Sequence, residues 1–109
     1  MDKITLDILE NALRNAREEM DTVLFRSAMS PVIREQHDGF PMICHPDGRM
    51  VVGQFGSYIN GFLANWKRGV NEGDIFLVSD PYSCGGAISH INDWMVLMPI
   101  FYEGELVGW

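Results

Sequence analysis

The residues able to do chemistry concentrate in one stretch, Asp80-Pro81-Tyr82-Ser83-Cys84-Gly85-Gly86-Ala87-Ile88-Ser89-His90-Ile91-Asn92-Asp93. His90 and Asp93 offer one imidazole and one carboxylate three positions apart, within a single turn of chain. Such a pair can converge on a divalent metal of borderline type (Mn, Fe or Zn), with a third protein ligand still to be supplied. The competing reading is that both side chains only satisfy backbone groups of a loop. Asp80, beside Pro81 at the C-terminal end of an expected strand, is the candidate catalytic residue, standing behind the two ligands; its bland alternative is a loop cap. Cys84 could be a nucleophile, but no His at a suitable spacing marks a base for it. The Gly85-Gly86 pair permits tight backbone approach, yet it lacks the G-x-x-x-x-G-K-[ST] frame of a phosphate loop.

A loop of this length inside a small domain is uncommon and usually functional. It must be held by what flanks it, an expected strand at Asp74–Ser79 and another starting at Trp94. The second, reading from Trp94 to Tyr102, pairs with Leu106–Trp109 across Glu103-Gly104-Glu105 as a hairpin. Upstream, Phe40–Cys44 and Arg49–Gly53 flank His45-Pro46-Asp47-Gly48, a type I turn signal closing on a left-handed Gly, and predict a first hairpin. Residues 57–68 place Ile59, Phe62, Leu63 and Trp66 at helical spacing interrupted by Gly61. This is a short helix ended by Gly69, with Lys67 and Arg68 favourably near its C-terminus.

The strongest periodicity lies at 4–26. Leu6, Leu9, Leu13, Ala16, Met20 and Val23/Leu24 recur at steps of three and four and draw one apolar stripe along a helix. Glu10–Arg14, Arg14–Glu18 and Arg17–Asp21 sit at i,i+4, and Asp2 or Thr5 caps the start. Ser30-Pro31 ends it, because a residue before Pro is pushed out of the α region. The fold class is therefore α+β: a long N-terminal amphipathic helix, β-hairpins and a short helix, forming part of a larger mixed sheet domain.

Several other polar residues read as structure. Arg34-Glu35-Gln36-His37-Asp38 is a solvated turn after a helix, His45 a turn residue, and Cys44 a small buried strand residue. Composition narrows the function further. The chain has 109 residues, enough for one small domain over 1–109, and its 47% hydrophobic content excludes a disordered segment. Fifteen acidic against eight basic residues give a net charge of −7, which disfavours nucleic acid and anionic membrane as partners. No apolar run approaches the ~18–20 residues that span a bilayer, and no signal-peptide stretch opens the chain. Two distant cysteines in no CxxC pattern fit a reducing, cytoplasmic setting. The apolar end Leu106-Val107-Gly108-Trp109 asks for a strand partner, from another chain or from a longer polypeptide of which this is the first part; the second is preferred.

Taken together, these segments resemble the hydantoinase B/oxoprolinase family, which includes B-type subunits of ATP-dependent hydantoinases, the C-terminal half of 5-oxoprolinase, and large subunits of acetone and acetophenone carboxylases. Three segments carry the resemblance. The first runs through Arg26-Ser27-Ala28-Met29-Ser30-Pro31-Val32-Ile33-Arg34-Glu35 to Asp38, and the second is Asp47-Gly48-Arg49-Met50-Val51-Val52. The third spans Gly73–Tyr82, Gly85-Gly86, His90 and Asp93, then Pro99-Ile100-Phe101 and Gly104-Glu105-Leu106-Val107.

The resemblance implies that His90 and Asp93 are two ligands of a catalytic divalent metal, with a third, a His, falling beyond Trp109. It implies that ATP with Mg sits on a partner, a hydantoinase A-like ATP-binding subunit, within a hetero-oligomer acting on a small carbonyl or cyclic-amide substrate. The chain departs from the hydantoinase pattern at Gly39-Phe40-Pro41, at 53–59, at Ala87 and at Ile91-Asn92. These departures leave room for an aromatic-lined pocket around Phe55, Tyr58 and Phe62. On that ground the expected activity is ketone carboxylation of the acetone/acetophenone type. The alternatives are ATP-dependent opening of a hydantoin or oxoproline ring and a non-catalytic structural subunit.

Overall fold

In the computed structural model, which describes residues 1–54 and 59–109, helix α1 spans Lys3–Ser27. Asp2 caps it as expected: its carboxylate accepts from Thr5 N at 3.0 Å and from Thr5 Oγ1 at 2.7 Å. Glu10–Arg14 closes at 2.7 Å and Arg17–Asp21 at 3.2 Å, while Arg14 turns back to Glu10 rather than forward to Glu18. Arg17 Nε also donates to Pro41 O at 3.1 Å, tying the helix to the returning chain. The apolar stripe is covered only in part: Leu13, Ala16 and Leu24 are half-buried, whereas Leu6, Leu9, Met20 and Val23 are exposed.

Ser30-Pro31 ends α1, but the run after it is not a plain solvated turn. Pro31 at the first helical position starts a one-turn helix, α2 (Pro31–Arg34). The chain then passes through His37 at φ 57°, whose ring stacks on Phe25 with centroids 4.2 Å apart and planes 5° from parallel. Gly39 follows under Leu24, where an added Cβ would stand 2.7 Å from a Leu24 methyl. Met1–Ile43 form one compact unit; Cys44–Val51 and the chain from Ile59 onward belong to a second.

The strands β1 (Ile43–Cys44) and β2 (Met50–Val52), of which residues 44–51 lie in that second unit, flank the expected turn. His45 N donates to Arg49 O at 2.8 Å, Gly48 N to His45 O at 2.9 Å, and Gly48 adopts φ 91°. Helix α3 (Asn60–Asn65) is shorter than the periodicity suggested. It stops before Gly69 because Trp66 swings to an extended backbone and sends its ring against Phe76, 5.0 Å between centroids. Lys67 Nζ donates to Ala64 O near the helix end, as its position predicted.

Strands β3 (Phe76–Val78) and β4 (Met95–Leu97) pair antiparallel in the register Phe76↔Leu97, Leu77↔Val96, Val78↔Met95. The expected single strand from Trp94 to Tyr102 is broken at Met98-Pro99, where proline removes a ladder donor. Its second half, β5 (Ile100–Tyr102), pairs instead with β6 (Glu105–Gly108). Glu103 and Gly104, at φ 50° and 83°, turn that hairpin in the type I′ manner. Trp109 then exchanges both backbone hydrogen bonds with Cys44, at 2.7 and 2.9 Å, so β1 is joined to the end of β6. The core of this unit is Ile59, Phe62, Phe76, Val78, Cys84, Leu97, Trp109 and Cys44. Phe62 lies 5.1 Å from Phe76 and 6.1 Å from Trp109, ring centre to ring centre. The architecture is α+β, as expected, with antiparallel strands paired two by two.

A candidate metal centre on the loop between β3 and β4

Since β3 and β4 are antiparallel neighbours, residues 79–94 form one long hairpin loop. Its first half is a chain of tight turns. Asp80 Oδ1 accepts from Tyr82 N at 3.0 Å, and Ser83 Oγ donates to Asp80 O at 3.0 Å. Gly86 N donates to Pro81 O at 2.9 Å and Ala87 N to Cys84 O at 3.3 Å. Gly85 and Gly86 take φ 64° and 80°, a left-handed pair that residues with a Cβ would strain to adopt.

Helix α3 grips this half of the loop. Asn65 Nδ2 donates to Ser83 O at 2.8 Å. Gly61 lies so close to the Cys84–Gly85 peptide that a Cβ there would stand 2.1 Å from Cys84 O and 2.6 Å from Gly85 N. Cys84 is fully buried as a result, and its thiol points back to Pro81 O at 3.5 Å. A side chain without solvent access is a packing residue, so Cys84 is no nucleophile in this state. Sequence reasoning took Gly61 for an interruption of a helix and missed its function as a clamp. The only signal was a Gly inside an otherwise helical run, where it costs helix propensity relative to Ala.

The loop's second half carries the predicted ligands, and the structure brings these two together. Asp93 N donates to His90 O at 3.1 Å, closing a turn that sets the side chains face to face. His90 Nδ1 lies 3.0 Å from Asp93 Oδ2, with the two side chains 67% and 49% exposed. That separation is the distance of an ordinary imidazole–carboxylate hydrogen bond, and one imidazole N with one carboxylate O is also a donor set that borderline divalent metals accept. Asp80 is not gathered with them; it holds the 80–83 turn. Among the described residues no group of three or more His, Cys, Asp or Glu is placed to hold a metal, so the pair supplies two donors and no third.

The other polar residues keep to structural work. Asp47 accepts from Arg49 N at 3.1 Å and Arg49 Nε at 2.9 Å, and lies 3.0 Å from His45 Nδ1. The Arg49 amide, followed by the Arg49 and His45 side chains, holds the Asp47 carboxyl below its ordinary value. Burial pushes the Cys44 thiol up, in keeping with a strand residue. Phe55 and Tyr58, two of the three residues of the expected aromatic pocket, lie outside the described residues. The third, Phe62, is packed into the core against Phe76 and Trp109. No helix among the described residues is long and apolar enough to cross a membrane.

The family model for hydantoinase B/oxoprolinase matches residues 2–109. The chain is 33% identical to caprolactamase subunit beta of Pseudomonas jessenii, over all of this chain and 20% of that protein. It is 30% identical to 5-oxoprolinase 1 of Arabidopsis thaliana, over 97% of this chain and 9% of that protein. It is also 32% identical to the acetophenone carboxylase delta subunit of Aromatoleum aromaticum, over 66% of this chain and 11% of that one. The chain thus spans about a fifth or less of the length of these relatives. No solved structure matches it.

Proposed function

The chain belongs to the hydantoinase B/oxoprolinase family, and on that footing we propose that it forms part of a metal-bearing subunit of an ATP-dependent enzyme acting on a small carbonyl substrate. The observation that carries this reading is the His90 Nδ1–Asp93 Oδ2 approach at 3.0 Å, on a loop clamped to α3. His90 and Asp93 hold a divalent ion (Mn, Fe or Zn), and a third ligand comes from outside residues 1–109. The ion, when bound, supplies Lewis acidity at a substrate carbonyl.

Within this chain Asp80 is a positioning residue that sets the turn from which the ligand half of the loop departs. ATP with Mg belongs to a partner, a hydantoinase A-like ATP-binding subunit, whose phosphorylation of a carbonyl oxygen precedes bond cleavage. Two of the relatives above are themselves named as subunits, which supports a hetero-oligomer.

For the substrate we favour a cyclic amide. Relatives matched over nearly the whole chain include ones named caprolactamase and 5-oxoprolinase. The argument for a ketone rested on Phe55, Tyr58 and Phe62, and Phe62 belongs to the core. Ketone carboxylation is the second reading, supported by the match to the acetophenone carboxylase delta subunit over two-thirds of the chain.

Elemental analysis of the native complex, beside a His90→Ala version, tests the proposal. Near-stoichiometric Mn, Fe or Zn is expected in the first, lost in the second together with turnover. Equal metal in both, or full turnover by His90→Ala, would return the pair to loop scaffolding. Turnover assays with 5-oxoproline, N-methylhydantoin, ε-caprolactam, acetone and acetophenone then separate the two substrate readings.

A further inference from the structure

The two strands that carry the ligand loop are apolar on both faces. Phe76, Val78 and Leu97 turn inward to the core, and by strand alternation Ile75, Leu77, Trp94, Val96 and Met98 take the other face. These five are 55–67% exposed, and Leu77 stands directly opposite Val96 in the ladder. An antiparallel sheet with one solvated face ordinarily puts polar residues there, and a contiguous apolar patch in their place marks an interaction surface. The charge beside it is of one sign. Residues 69–109 hold six carboxylates, Glu72, Asp74, Asp80, Asp93, Glu103 and Glu105, and no lysine or arginine. Asp74 adjoins Ile75 and Asp93 adjoins Trp94. Among the described residues no Lys or Arg forms an ion pair with any of the six. The nearest cations along the chain are turned elsewhere. Arg68 lies 5.8 Å from the centre of Trp66, whose ring packs on the inward-facing Phe76, and Lys67 donates to Ala64 O.

From this we infer that the outer face of β3 and β4 is the docking surface for the partner subunit, which meets it with an apolar patch ringed by Lys and Arg. The inference rests on the hetero-oligomer reading above and deepens it by naming the face and the chemistry of what covers it. Apolar contact at the centre supplies the affinity, while the unpaired carboxylates steer the encounter and fix its orientation. A second copy of the chain does not meet this requirement. Residues 1–68 carry nine carboxylates against eight Lys and Arg, so they offer no cationic surplus, and two of these faces together would set like charges against each other. The same carboxylates repel an anionic membrane. Because Trp94 directly follows Asp93, a subunit seated on this face reaches the edge of the ligand loop.

The test is association of the full-length subunit with its separately purified ATP-binding partner, read by biolayer interferometry at about 0.05 and 0.5 M NaCl. Wild type is compared with the double variant Leu77→Thr, Val96→Thr and with Asp74→Asn. Threonine keeps the β-branched shape that strands favour, and Asn at 74 keeps an acceptor for the Asn71 amide. The double variant is expected to weaken association about tenfold or more, with the urea midpoint of the isolated subunit unchanged. Wild type should bind about tenfold more weakly at the higher salt, and Asp74→Asn should slow association and flatten that dependence. Equal affinity in wild type and the double variant would overturn the docking face while the hetero-oligomer reading stood. A lowered midpoint in the isolated double variant would show the face covered within its own polypeptide and overturn it likewise. Loss of self-association, with partner binding intact, would give the face to a second copy and overturn the partner. Affinity indifferent both to salt and to Asp74→Asn would overturn the basic ring. Failure of the wild-type subunits to associate at all would remove the hetero-oligomer reading, and this face with it.

Discussion

Gly61→Ala sets two opposed effects against each other, and the structure decides the sign. Inside α3 the exchange gains intrinsic helix propensity, about 0.8–1.0 kcal/mol. Against it stands the added methyl, 2.1 Å from Cys84 O and 2.3 Å from Cys84 C. Ordinary van der Waals contact begins near 3.4 Å, so helix and loop must part by about 1.3 Å. The neighbour is backbone and cannot rotate away, and the loop peptide is already held by Asn65 and by the turn at Pro81–Ala87. Overpacking of this kind costs roughly 1–3 kcal/mol and more against rigid groups, and it also uncovers the buried Cys84. The expected net is a destabilisation of about 1–2 kcal/mol. Gly69→Ala is the control, since nothing lies within 4 Å of its would-be Cβ and its φ is not positive. Urea unfolding of the protein, wild type and both variants, reads the result directly: the midpoint falls for Gly61→Ala and holds or rises for Gly69→Ala. Gly61→Ala at or above wild-type stability would refute the clamp, and with it the argument that α3 positions the ligand loop.

Phe62→Ala separates core from pocket: burial against Phe76 and Trp109 makes it cost about 3–5 kcal/mol in an unfolding titration, whereas a pocket-lining Phe62 would alter substrate KM at little cost in stability. The Asp47 carboxyl is held below its ordinary value near 3.8 by the Arg49 amide and then by the Arg49 and His45 side chains. A depressed carboxyl adds stability that is full above the unfolded value and is lost as pH falls from about 4 through the lower folded value. Stability measured from pH 5 downward should therefore decline less steeply in Asp47→Asn than in wild type, and an identical decline would deny Asp47 its part in the turn.

What could be read from the residues was whatever depended on local chemistry. The α1 stripe, its Asp2 cap, the stop at Pro31 and the Pro46-Asp47-Gly48 turn are each decided within a few residues of chain, and each stands where the pattern put it. The misses share a tertiary cause. Trp66 leaves the helical pattern because its ring is worth more against Phe76 than in another turn of helix, and no periodicity within 57–68 carries that information. The strand at 94–102 breaks because Pro99 lets its halves serve different partners, β3 and β6. His90 and Asp93 were legible as a pair since their meeting needs one turn of chain. Asp80 was legible as a residue type but not as a role, because whether it joins them depends on how the intervening loop is folded.

The exposure of the pair bears on what else the centre requires. At 67% and 49% exposed, His90 and Asp93 meet bulk water, and there a charge interaction is weakened by the high dielectric. Electrostatic stabilisation of a developing oxyanion is strong only where water is excluded and the dipoles are already arranged. The clamped half of the loop supplies the arrangement: Gly61, Asn65 and the Asp80 turn fix where the ligand half begins. It does not supply the exclusion. Residues 1–109 span about a fifth or less of the relatives they match, and under the proposed reading both the remaining ligand and the exclusion of water are contributions from outside these residues.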